Sequence, residues 1–210
     1  MYKIYINDNK IELIPSKNIA KYTLNEEETL LARYNGKPSH LLSFIDMAEK
    51  TNRYKHIVIH SLDIDKLIRD FEGLFKIVEA AGGVVINEKN EILFILRRGH
   101  WDLPKGKLEN RESRRDGAKR EVMEETGISC VQVVKKLAVT RHTYRNKRDK
   151  RCIKLTHWYL MFGQKQKLTP QVEEDIEKTE WMTLESFNCK DRVVYENIQI
   201  VLNEVKTARK

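Results

Sequence analysis

Two periodicities alternate along the chain. Tyr2, Ile4 and Ile6 recur at every second position, the pattern of a half-buried strand, and after the turn-forming Asn7-Asp8-Asn9 the run Ile11 to Ile14 supplies the second arm of a hairpin. A further strand is expected near Leu30 to Tyr34. Ser39, after Pro38, is positioned to cap a helix with Leu41, Ile45 and Ala48 on its apolar stripe. Ile57-Val58-Ile59 is a short unbroken apolar run, as in a strand buried on both faces. Ser61 is then expected to cap a second helix carrying Ile64, Leu67, Ile68, Phe71 and Phe75 on one stripe. Up to about residue 76 the chain reads as a small α/β unit, and no motif in it carries recognisable chemistry.

From Ile77 to Ile86 and from Ile92 to Arg97 the pattern predicts two strands around the Asn87-Glu88-Lys89-Asn90 turn. Ser113 followed by Asp116 marks a helix start, and Gly127 a left-handed stop, so a helix is expected over residues 114–126. Residues 131–144 and 152–162 alternate as a long hairpin, residues 170–175 form an acidic loop, and residues 176–182 make another strand. The chain ends in a helix with Val194, Ile198, Val201, Leu202 and Val205 on one stripe.

At 210 residues, with 40% hydrophobic and 33% charged residues, the composition is that of a soluble globular protein of one large or two small domains. No apolar run reaches transmembrane length, and the start of the chain lacks the apolar core of a signal peptide, so a cytoplasmic protein without a membrane partner is expected. Cys130, Cys152 and Cys189 are widely spaced and odd in number, which suggests reduced thiols rather than disulfides or zinc. His56 and His60 flank the short apolar strand without metal-type spacing and read as structural. The net charge of +8 is unevenly placed: residues 135–154 hold nine Lys or Arg against Asp149 alone. Such a cluster is ordinarily a solvated loop; beside a cation site, a polyanionic substrate becomes the better account.

Candidate chemistry centres on the helix over residues 114–126. Glu121, Glu124 and Glu125 fall at i, i+3 and i+4, on one face. Three anions about 6 Å apart repel by ~2–3 kcal/mol per pair at an effective dielectric near 20. The face is either solvated acid or a site for a hard divalent cation, which turns that repulsion into attraction. Helix geometry alone favours the first.

The surroundings change the balance. Gly106 opens the preceding loop, Glu112 follows six residues on, and Arg120-Glu121-Val122-Met123-Glu124-Glu125-Thr126-Gly127-Ile128 completes a pattern that resembles the signature of the Nudix hydrolases at every specified position. At average residue frequencies near 7%, seven fixed identities coincide by chance on the order of once in 10⁸ windows. The resemblance covers about residues 76–210. It implies an α-β-α sandwich with a mixed sheet over residues 77–210, in an α/β (α+β) chain whose residues 1–76 form a preceding α/β domain.

The resemblance further implies an enzyme, a pyrophosphohydrolase cleaving a pyrophosphate linkage in a nucleoside diphosphate attached to another group. Glu121, Glu124 and Glu125, with the carbonyl of Gly106, would hold Mg²⁺ or Mn²⁺. Glu121 is also a candidate to orient or deprotonate the attacking water, and Glu173 or Glu174 a candidate base or extra ligand from outside the signature. Arg120 and Glu112 would pair to support the loop. Gly117, where the family commonly has Ala, is expected to have a closely packed backbone.

Trp101-Asp102-Leu103-Pro104-Lys105-Gly106-Lys107 is similar to the subgroup acting on diadenosine polyphosphates and diphosphoinositol polyphosphates. Lys105 and Lys107, with Arg141, Tyr144 and Lys154 of the hairpin, are the candidate substrate contacts. His142 and His157 read as ordinary strand residues, while Tyr144 or Trp158 either stacks on a base or packs. A dinucleoside polyphosphate is the leading substrate. The alternatives are an RNA 5′ end, ADP-ribose or a nucleotide sugar, and a non-catalytic nucleotide sensor. Nudix domains commonly dimerise, so the resemblance makes a homodimer one possible assembly.

Overall fold

The strands and two helices expected of the N-terminal region are present in the structure, a computed structural model that describes residues 2–7, 9–22, 28–51, 53–188 and 192–208. Cys189 lies outside the described residues. In chain order the elements are β1 (Tyr2–Ile6), β2 (Asn9–Pro15), β3 (Thr29–Arg33), α1 (Pro38–Lys50), β4 (His56–Ser61), α2 (Ile64–Glu72), β5 (Lys76–Ile86), β6 (Ile92–Arg97), β7 (His100–Asp102) and β8 (Lys105–Lys107). They continue with α3 (Arg114–Thr126), β9 (Gln132–Arg145), β10 (Arg151–Phe162), β11 (Ile176–Met182), α4 (Leu184–Asn188) and α5 (Glu196–Ala208). Among the described residues no helix is long and apolar enough to cross a membrane.

The chain packs as two units, residues 1–78 with 141–154, and residues 79–140 with 155–210. Packing therefore departs from chain order: the tip of the β9–β10 hairpin, within the region read as a single domain over 77–210, groups with the first unit.

In the first unit β1 and β2 form the expected antiparallel hairpin, β4 pairs in parallel with both β2 and β3, and β1 meets β9 in parallel at Tyr5 and His142. Ile4, Ile11, Leu13, Ile57 and Ile59 pack with Leu41 and Ile45 of α1 and with Leu67 and Phe71 of α2 in one core. Two helix caps differ from expectation. Lys37 is the N-cap of α1 and Pro38 sits in the first turn, where its missing N–H costs nothing, so Ser39 lies inside the helix. Asp63 caps α2 by accepting from Lys66 N at 2.8 Å, while Ser61 accepts from Asp63 N at 3.1 Å in the preceding turn. Phe75 lies beyond α2 but belongs to the same core.

Glu12 of β2, 2% exposed, is surrounded by bases: His56 Nε2 at 2.7 Å, Lys3 Nζ at 3.2 Å and Lys10 Nζ at 3.9 Å. Burial alone would raise its pKa, but the hydrogen bond to His56, the charge of Lys10 and the hydrogen bond from Lys3 outweigh it and hold the carboxyl down to about 2. A depressed carboxyl stabilises the fold above its unfolded pKa of ~4.3 and loses that contribution as pH falls toward 2. The contribution is on the order of 3 kcal/mol at neutral pH. Glu12→Gln is therefore expected to lower the melting temperature at pH 7 and to flatten the stability–pH curve between about 4.5 and 2. Parallel acid limbs in the two proteins would sink this assignment.

In the second unit the hydrogen-bonded strand order is β11-β6-β5-β10-β9, with β7 on β6 and β8 on β5. Successive residues face opposite ways. Val84 and Phe94 pack with Ile198, Val201 and Leu202 of α5, whereas Val85 and Leu93 pack with Ala118 and Val122 of α3. A mixed sheet with a helix layer on each face results. Trp158 is wholly buried and donates through Nε1 to Thr140 at 2.8 Å, which settles it as packing. Gly82 shows why the opening of β5 is small: a Cβ there would stand 2.4 Å from the Pro104 carbonyl oxygen.

Candidate active site

Helix α3 begins and ends where its sequence dictates. Ser113 accepts from Asp116 N at 3.1 Å, and Gly127 closes the helix in the left-handed region at φ 69°. The hydrophobic stripe of α3 faces the sheet through Ala118 and Val122. That rotation presents its three glutamates unequally: Glu125 is fully buried, Glu121 is 6% exposed and Glu124 is exposed.

Strand β8 lies against this helix face. A Cβ on Gly106 would fall 1.9 Å from Glu121 Oε2 and 2.3 Å from Oε1, so only glycine lets the backbone come this close to the carboxylate. The main-chain N–H of Lys105 donates to Glu125 Oε2 at 2.8 Å. The other oxygen, Glu125 Oε1, is buried without a partner. Burial pushes the Glu125 carboxyl up to about 7, with the nearby Lys105 charge and its main-chain N–H pulling the other way.

Arg120 ties the remaining acids together. It donates to Glu112 through Nε at 2.8 Å and Nη2 at 2.9 Å, to Glu121 at 2.9 Å, to Glu124 at 2.8 Å and to the Lys107 carbonyl at 3.0 Å. These carboxylates hold the guanidinium well above its ordinary pKa. The expected Arg120–Glu112 pair is thus present, and Arg120 reaches further than the signature suggested. Gly117 packs as expected: a Cβ would be 2.4 Å from Leu108 Cδ2 and 2.8 Å from Glu112 Oε2.

Outside α3, Glu174 sits in a short 3-10 turn, 3.5 Å from Arg97, and is close enough that its charge helps raise the Glu121 pKa, after the larger effect of burial. Glu173 is exposed. Lys107 is exposed, whereas Lys105 is 6% exposed and its ammonium is paired with Asp102. Sequence reasoning passed over Asp102. The signal that could have found it is the three-residue spacing to Lys105 across Pro104. Arg141, Tyr144 and Lys154 belong to the first unit.

Among the described residues no three His, Cys, Asp or Glu side chains already converge as a ready ligand set. The donor chemistry nevertheless suits a hard cation: a buried carboxylate oxygen without a partner, a glycine-only approach of backbone to Glu121, and more acids than Arg120 alone can neutralise. Glu121, Glu124, Glu125 and the Gly106 carbonyl are the groups that would hold it.

The NUDIX domain matches residues 76–201, well over half of the chain. An RNA pyrophosphohydrolase of Pasteurella multocida is 34% identical over 100 residues, 47% of this chain and 48% of that protein. An RNA pyrophosphohydrolase of Haemophilus influenzae is 33% identical over 100 residues, 47% of this chain and 49% of that protein. The chain thus spans about half the length of these curated relatives. In fold it is similar to the NUDIX domain of Shewanella oneidensis NrtR, solved in complex with ADP ribose: the TM-score is 0.50 at 16% identity, covering 70% of this chain and 99% of that one.

Proposed function

This chain belongs to the Nudix family, and on that premise we propose that it is a divalent-cation-dependent pyrophosphohydrolase acting on a highly phosphorylated nucleotide, with dinucleoside polyphosphates as its leading substrates. The observation that carries the reading is the buried, half-satisfied Glu125 beside Glu121 and Gly106.

A bound Mg²⁺ or Mn²⁺ would neutralise phosphoryl oxygens and lower the pKa of the attacking water. Glu125 is aimed by the Lys105 N–H, which leaves one oxygen for the cation. Arg120 fixes Glu121 and Glu124 on the same side of the helix and clamps the Lys107 carbonyl. Glu121, whose carboxyl is pushed up chiefly by burial and further by the neighbouring Glu174 charge, is the group to orient the water and take its proton, and Glu174 stands close enough to assist in positioning it. The exposed Lys107 offers a point charge to a substrate phosphate.

A second reading, hydrolysis at an RNA 5′ end, is favoured by the relatives at 34% and 33% identity, which are RNA pyrophosphohydrolases. The two are separated by supplying purified protein and Mg²⁺ or Mn²⁺ with diadenosine polyphosphates, diphosphoinositol polyphosphates, ADP-ribose, oxidised nucleoside triphosphates and 5′-triphosphorylated RNA. Highest kcat/KM on the diadenosine polyphosphates is expected; highest on RNA would install the second reading. Tight nucleotide binding without turnover of any compound would sink the hydrolase and leave a nucleotide sensor.

A further inference from the structure

The sheet of the first unit has two unlike faces. One is covered by α1 and α2 and carries Tyr2, Ile4, Ile11, Leu13, Ile57 and Ile153 in the core. Strand alternation turns Lys3, Tyr5, Lys10 and Glu12 to the other. Contacts settle the sidedness of the hairpin tip. Arg141 lies over the Tyr2 ring at 4.4 Å, and Arg145 and Arg151 pair with Glu49 of α1 at 3.0 and 2.9 Å, all on the helix side. His142, Tyr144 and Lys154 alternate with them and fall on the opposite side, where His142 is in register with Tyr5.

Among the described residues, cover on that opposite face lies at its β4 end. Ser16 meets His60 at 3.0 Å and the Tyr22 ring lies beside His56, which closes the part over β4. Lys3 is exposed, and Tyr5, Lys10, His142, Tyr144 and Lys154 are partly exposed. The carboxylate among these β1 and β2 residues is Glu12, buried beneath Lys3 and Lys10 and held by His56. Just beyond, Lys147, Arg148 and Lys150 are exposed in the connecting loop, whose Asp149 is taken by Arg145. Among the residues just named, cations flank a row of rings, while Glu12 is buried and Asp149 is paired.

We propose that this face binds single-stranded nucleic acid, with Tyr5, His142 and Tyr144 stacking on bases and Lys3, Lys10 and Lys154 meeting phosphates. The charge complementarity is with a polyanion, and the rings select one whose bases are unpaired. An acidic peptide would answer the lysines but leave the rings unused. The site lies wholly within the first unit and does not rest on the hydrolase reading.

The test is fluorescence anisotropy of a labelled single-stranded RNA with a 5′ hydroxyl, in EDTA, so that neither a terminal phosphate nor a cation contributes. Binding with a dissociation constant on the order of micromolar at low salt is expected, weaker for the matching duplex. Tyr5→Ala with Tyr144→Ala should weaken it by about tenfold or more, while Tyr5→Phe, which keeps the ring, should bind as the parent. Lys3→Gln and Lys10→Gln should each reduce the salt slope by about 0.7, whereas Lys206→Gln on α5 should not change it. No binding by the parent, equal binding of duplex, an unchanged affinity in the double tyrosine variant, or equal loss from Lys206→Gln would each overturn the proposal. Preferential binding of a poly-glutamate peptide over RNA would do so in favour of a protein partner.

Discussion

Glu124→Gln combined with Glu125→Gln is expected to lower kcat/KM by at least ~10³-fold, equivalent to ~4 kcal/mol of transition-state stabilisation. The two positions fail for different reasons. Glu125 is fully buried and keeps one oxygen on the Lys105 N–H, so the amide retains that hydrogen bond but puts an NH₂ or a neutral oxygen where the cation needs charge. Glu124 is exposed and bonds Arg120, and its loss removes an anion from the open side. Melting should move little by comparison, because removing a buried charge relieves desolvation while one hydrogen bond is lost. Turnover by progress curve and melting by circular dichroism read the two effects separately. Near-parental activity in the double variant would mean these carboxylates are not the cation ligands.

Gly106→Ala should cost activity on the order of 10²-fold with only about 1 kcal/mol of stability, a split that few glycine substitutions show. The added methyl would stand 1.9 to 2.3 Å from the Glu121 carboxylate atoms. That group is the end of a flexible side chain, so Glu121 yields and leaves the position that Arg120 fixes for it, while β8 stays paired with β5. At Gly82 the neighbour is the Pro104 carbonyl, and nothing can yield without moving backbone. Comparable kcat/KM in parent and Gly106→Ala proteins would refute the idea that Glu121 must sit against β8.

Much of this was legible in the chain because it is local. The α3 boundaries follow from Ser113 and Gly127, and the Arg120–Glu112 pair is one that the resemblance to the Nudix signature implied. The two-sided sheet follows from runs such as Val84-Val85, in which neighbours serve opposite cores. What escaped is non-local or depends on one residue of phase. Ser39 and Ser61 are good caps by type, but Pro38 and Asp63 compete for the same turns and win through geometry. Periodicity could not say that the Lys105 ammonium would pair with Asp102. Nor could composition divide the basic hairpin. Arg145 and Arg151 are occupied by α1, whereas Tyr144 and Lys154 turn the other way.

The division of the β9–β10 hairpin between the units also sets a timetable for synthesis. The first unit is completed by residues 141–154, among them Ile153 of its core and Arg151, which holds α1 through Asp46 and Glu49. Residues 1–78 therefore leave the ribosome without the pieces that finish them, and wait roughly 4–15 s at ordinary elongation rates for the hairpin to arrive. During that interval a nascent sheet edge at β1 is unpaired, a hazard that a holdase chaperone would relieve. For the same reason the N-terminal region is not a detachable module: cutting the gene after residue 78 would yield an N-terminal fragment lacking a strand and a remainder with an orphaned hairpin tip.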